Sequence, residues 1–63
     1  MLGQKIKRLR KQRKMTQEDL ADLLHVTRAA VSSWETGKRT PDIYMLRDIA
    51  VAFGVSTDDL IGK

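Results

Sequence analysis

The 63-residue sequence predicts an all-α fold, a compact five-helix bundle, on three observations. Apolar residues recur at helical spacing along the chain and nowhere alternate as a strand requires. Side chains suited to N-caps precede the apolar segments at Thr16, Thr27, Thr40 or Asp42, and Ser56. Gly37 and Gly54 follow two of those segments, where a helix closes most easily on glycine.

The elements follow in order. Leu2, Ile6 and Leu9 form one apolar stripe on a first helix of roughly residues 3 to 13, otherwise basic. Thr16 caps a second helix, Gln17 to Leu24, whose first turn carries Glu18 and Asp19 at the positive end of the helix dipole and whose buried face is Leu20, Ala21 and Leu24. Thr27 opens a third, Arg28 to Thr36, burying Val31 and Trp34. Thr40-Pro41-Asp42 starts a fourth, on which Ile43, Leu46, Ile49, Ala50 and Phe53 keep helical spacing until Gly54. Ser56, with Asp59 as its capping-box partner, opens a short fifth carrying Leu60 and Ile61. At three of these starts an apolar residue precedes the cap and another follows four places after it: Met15 with Leu20, Val26 with Val31, Val55 with Leu60. These pairs fit hydrophobic staples.

Length and composition bound the rest. The chain is expected to be a single domain over residues 1–63, near the lower limit at which an apolar core outweighs chain entropy; the same length fits a fragment of a longer protein. Without cysteine there is neither a disulfide framework nor a thiolate metal site, and a reducing cytoplasm is the expected location. No apolar run approaches the roughly 20 residues of a membrane span, and no signal peptide is evident. The formal net charge is +4, but its distribution says more. Lys5, Lys7, Arg8, Arg10, Lys11, Arg13 and Lys14 fall in the first fourteen residues with no acid among them, whereas five basic residues face eight acidic ones thereafter. On composition alone such a block fits a solvated helix face as well as a nucleic-acid partner.

"LLHVTRAAVSSWE" joins two helical patterns with neither Gly nor Pro between them. Thr27 as cap and Val26 as staple require the chain to leave helical geometry after Leu24, which puts His25 at the turn with positive φ and modest strain. A catalytic or metal role for His25, the single histidine, lacks a second ligand or a nucleophile nearby. Ser32 and Ser33 lack a neighbouring general base, and no Gly-rich phosphate loop is present. No enzyme activity, cofactor, metal or small-molecule ligand is expected.

Two helices joined by a three-residue turn beside a basic flank match the helix-turn-helix motif. Beyond it, Thr16-Gln17-Glu18-Asp19-Leu20-Ala21, Val31-Ser32-Ser33-Trp34-Glu35-Thr36-Gly37, Pro41, Leu46 and Phe53 to Leu60 resemble the phage-repressor (Cro/XRE-type) helix-turn-helix family over nearly the whole chain. The family commonly has Gly or another small residue where His25 stands. The resemblance implies a lambda-repressor-like five-helix fold, with the second helix across the DNA backbone and the third in the major groove. It also implies a buried Trp34 and an ion pair between Arg10 and Glu35.

With Val31 and Trp34 inward, Ala29, Ser32, Ser33 and Thr36 face outward and Arg28 lies to one side. Arg28 can reach a guanine edge, Ala29 a thymine methyl, and Ser32 and Ser33 bases or phosphates, so these four are the expected base contacts. Gln17 with the free N–H groups at the start of its helix, Thr27, Thr36, Lys38 and Arg39 are expected at the backbone. The basic block of the first helix mostly adds a long-range field, with Arg13 the member best placed to touch backbone.

These readings converge on a sequence-specific transcriptional regulator of double-stranded DNA, a repressor binding an inverted-repeat operator as a homodimer through surfaces near Val55 to Ile61. The alternative is an antitoxin-like or anti-repressor interaction module with secondary or no DNA binding. Salt-dependent retention on random duplex separates the two. An RNA-binding bundle ranks last, because exposed aromatics for base stacking are scarce.

Overall fold

The computed structural model describes residues 2–62, which form five helices: α1 Leu2–Gln12, α2 Gln17–Leu24, α3 Arg28–Thr36, α4 Ile43–Phe53 and α5 Thr57–Ile61. α3 packs on both α1 and α2, α4 lies against α2, and α5 bridges α1 and α4. The bundle measures 27 × 23 × 19 Å.

Each junction is written in local chemistry. Thr16 Oγ1 accepts the Asp19 N–H at 3.0 Å and Asp19 Oδ2 accepts the Thr16 N–H at 2.9 Å, a reciprocal box repeated by Ser56 and Asp59 at α5. Thr27 caps α3 through the Ala30 N–H at 3.1 Å. Of the two candidates before α4, Asp42 is the cap, its carboxylate accepting the Met45 N–H at 2.8 Å, while Pro41 is buried ahead of it. Such caps contribute about 1 kcal/mol each.

Three helices stop in the same way. Lys14, His25 and Gly54 take left-handed conformations at φ 57°, 60° and 68°. The next N–H then reaches back into the helix: Met15 to the Arg10 carbonyl, Val26 to Ala21 and Val55 to Ala50. Met15, Val26 and Val55 also pack against the core at the staple positions of the helices that follow, so a single residue closes one helix through its backbone N–H and anchors the next through its apolar side chain. His25 has the positive φ expected of it; Lys14 has the same conformation without having been anticipated. Glycine at position 25 would relieve strain on the order of 1 kcal/mol but would enlarge the unfolded ensemble. His25→Gly should therefore raise stability by only a few tenths of a kcal/mol in thermal unfolding. A large loss would mean the imidazole contributes native contacts.

The core comprises Ile6, Leu20, Ala21, Leu24, Val31, Trp34, Ile49, Ala50, Phe53 and Leu60, with Leu2, Leu9, Leu46 and the staple residues packed around it. Two apolar residues of these helices face out: Ile43 is 74% exposed and Ile61 49%. Consecutive helical residues lie about 100° apart, so a helix as short as α5 turns only one of Leu60 and Ile61 inward. Ile43 sits in the first turn of α4, beyond the reach of the helices that cover Ile49 and Phe53.

Gly3 fixes how closely α1 crosses α3. A Cβ built there would press against the Trp34 carbonyl oxygen and lie 2.9 Å from that of Glu35. Alanine improves helix propensity by about 1 kcal/mol, but the overlap is with backbone, which cannot rotate away. Gly3→Ala should be net destabilising by about 1–2 kcal/mol, read as a melting temperature lower by several degrees.

Candidate nucleic-acid interface

The exposed face of α3 and the chain on either side of it form one continuous surface. Thr27, Arg28, Ala29 and Thr36 are exposed and Ser32 and Ser33 half-buried, because Val31 and Trp34 hold the opposite side of the helix in the core. Small side chains dominate this surface, so its backbone can come close to a partner. The Thr36 hydroxyl donates to the Ser33 carbonyl at 3.3 Å, and the Arg39 N–H reaches the same carbonyl at 3.2 Å. The second bond folds the post-α3 segment back on the helix and keeps the exposed Lys38 and Arg39 at its end.

Arg28 extends sideways, where it lines a cleft of about 650 Å³ together with Lys11, Lys14, Thr16, Gln17 and Glu18. Beneath that cleft Arg10 spends all its nitrogens internally. Nε and Nη2 bind Glu35 at 2.7 and 3.0 Å in a two-point ion pair, and Nη1 donates to the Met15 carbonyl at 2.7 Å. The pair is buried, with side-chain exposures of 9% for Arg10 and 3% for Glu35. Burial pushes the Glu35 carboxyl up, but hydrogen bonds from Arg10 and Gln17 and the charges of Arg10 and Lys7 together outweigh it and hold the carboxyl below the ordinary carboxylate range. Its hydrogen bond to Glu35 raises the Arg10 guanidinium above its already high value.

Gln17 donates from Nε2 to Glu35 Oε1 at 3.1 Å. The buried pair thus orients the amide at the start of α2 and leaves one amide hydrogen and the carbonyl oxygen for a partner. Sequence spacing gave no sign of this link, since only the packing of α1 and α2 onto α3 brings the three residues together.

Arg13, exposed and expected at a DNA backbone, also makes contacts within the fold. One Nη donates to the Phe53 carbonyl at the C-terminus of α4, the other to the Leu9 carbonyl at 3.3 Å, and the guanidinium carbon lies 5.1 Å from the Phe53 ring centre. A cation on the last carbonyl of a helix is favoured by the helix dipole, and Arg13 closes α4 in that way. The stretch Val55 to Ile61, where the family resemblance implies dimer contacts, exposes little apolar surface. Val55 is half-buried and Leu60 fully buried, and of that stretch only Ile61 stands out as a large exposed apolar residue. It joins Ile43 and Tyr44 of α4 around a cavity of about 470 Å³.

Among the described residues, no helix is long and apolar enough to cross a membrane.

Comparison with known proteins agrees with this architecture. Over 59 residues the chain is 41% identical to the HTH-type transcriptional activator BcrR of Enterococcus faecalis, covering 94% of this chain and 29% of that protein. It is 32% identical over 62 residues to the immunity repressor protein of Bacillus phage phi105, covering 98% and 43%. The structure of SinR, the master regulator for biofilm formation, in complex with DNA superposes with a TM-score of 0.88 at 32% identity, covering 97% of this chain and 98% of that one. This chain therefore spans less than half the length of the first two relatives and nearly all of the third. The helix-turn-helix family model matches residues 6–60, from the first buried residue of α1 to the buried leucine of α5, and the chain belongs to that family.

Proposed function

We propose that this chain is a sequence-specific, double-stranded-DNA-binding transcriptional regulator that represses by occupying an inverted-repeat operator as a homodimer. The observation that carries the reading is the exposed small-residue face of α3, flanked by Arg28 at one end and by Lys38 and Arg39 at the other. Arg28, Ala29, Ser32 and Ser33 read bases; Gln17, Thr27, Thr36, Lys38 and Arg39 hold phosphates and set the register. SinR, whose solved chain this one covers almost completely, is seen in complex with DNA. Repression by occupancy asks nothing of the chain beyond DNA binding, and it places the protein in the cytoplasm.

One domain of this size reads few base pairs, and pairing across two half-sites supplies the missing specificity. Three of the five large exposed apolar residues, Ile43, Tyr44 and Ile61, share one patch, and that patch is the dimer surface. Selection of bound sites from random duplexes tests the whole reading: an inverted repeat with half-sites about one helical turn apart is expected. Recovery of unselected sequence with no salt dependence would instead favour a protein-interaction module.

A further inference from the structure

We propose that Lys11 and Lys14 form a clamp for backbone phosphates, extending the duplex contact from α3 onto the end of α1. The inference rests on the duplex-binding reading and assigns contacts that reading does not contain.

Three observations carry it. The first is position. Lys11 and Lys14 line the same cleft as Arg28, the first residue of the exposed helix, so a backbone strand bordering the groove that receives α3 passes this cleft. The second is charge. Glu18 is the one unneutralised acid on the cleft wall, since Arg10 below is cancelled by Glu35, and among the described residues no hydrogen bond or ion pair engages either lysine ammonium. Next to them Arg13 turns inward to Phe53, so the cations at this end of α1 divide between a structural arginine and two free lysines.

The third is strain. Lys14 holds φ 57° at a helix end, as His25 does before α3, whereas the equivalent position before α5 is Gly54. A lysine kept in a conformation that glycine adopts freely, exposed and with its ammonium in no hydrogen bond or ion pair among the described residues, points to a use for the ammonium outside the fold.

The strain also separates function from folding in the test. Binding of the unaltered protein, Lys11→Gln, Lys14→Gly and the control Arg8→Gln is titrated against a labelled mixed-sequence duplex of about two helical turns over a salt series. Arg8 is exposed on α1 and does not line this cleft, so its loss changes the net charge equally without touching the clamp. For Lys11→Gln and Lys14→Gly, the affinity lost between 50 and 200 mM salt should shrink by about threefold per bound subunit, one phosphate contact apiece. Arg8→Gln should leave it nearly unchanged. Lys14→Gly should melt no lower than the unaltered protein, so that its weaker binding is not a folding defect. Equal effects from all three substitutions would overturn the clamp in favour of a diffuse field, as would unchanged binding by the two lysine variants. Failure of the unaltered protein to bind duplex would overturn the regulator reading and the clamp with it.

Discussion

Arg10→Ala should destabilise the domain by about 3–5 kcal/mol, the largest effect expected of any single substitution at the ion pair. It strands the Glu35 carboxylate in a site with 3% exposure and removes the donor to the Met15 carbonyl. A chain this short has a total stability of only about 3–9 kcal/mol, so much of the variant should be unfolded at physiological temperature. Glu35→Ala should cost nearly as much, because it leaves a buried guanidinium with the Met15 carbonyl alone. The double variant should lose less than the two single losses combined, since neither charge is then left unpaired. Denaturant unfolding of the three variants measures the coupling, and strict additivity would mean that the two side chains do not sense one another. The pair also sets an acid limit. The Glu35 carboxyl is held below its unfolded value of about 4.3, so its contribution is complete above that pH and is lost as pH falls through the lower, folded value. Glu35→Gln should accordingly show a flatter decline of stability below about pH 4 than the unaltered chain.

The same pair marks where sequence reading stops. Caps and staples are interactions between residues a few positions apart, and Thr16, Thr27, Ser56, Met15, Val26 and Val55 all act as their local spacing predicts. The exposed face of α3 was legible for a related reason: once Val31 and Trp34 are inward, helical geometry fixes the rest. The fate of Arg13 is settled by the Phe53 carbonyl, forty positions away, and that of Gly3 by a crossing with the end of α3. Neither leaves a periodic trace. Seven cations in fourteen residues look alike in a sequence. In the fold one is buried against a glutamate, one closes a helix, and two line a cleft beside the exposed face of α3. Ile43 and Ile61 illustrate the converse, since helical spacing identifies a face but not whether a neighbouring helix reaches far enough to cover it.

Arg28→Ala and Lys38→Ala should impair DNA binding in different ways, and the contrast tests the orientation of the whole interface. Arg28 projects from the first turn of α3 at the edge of the small-residue face; with α3 docked in a groove as proposed, it reaches a base edge. Its loss should cost on the order of 1–3 kcal/mol on the preferred operator and relax the choice at one base pair per half-site, with a much smaller effect on scrambled duplex. Lys38 sits past the end of α3, in the segment folded back by the Arg39 N–H, where a flexible ammonium meets phosphate rather than base. Lys38→Ala should weaken operator and scrambled duplex alike and lower the salt slope by about one unit per subunit. Titrating both variants against both duplexes over a salt series distinguishes the roles. If Arg28→Ala weakened the two duplexes equally while Lys38→Ala erased discrimination, the element in the groove would be the segment after α3. The small-residue face of α3 would then lie against the backbone, where short side chains that reach little and repel nothing would have no specificity to confer.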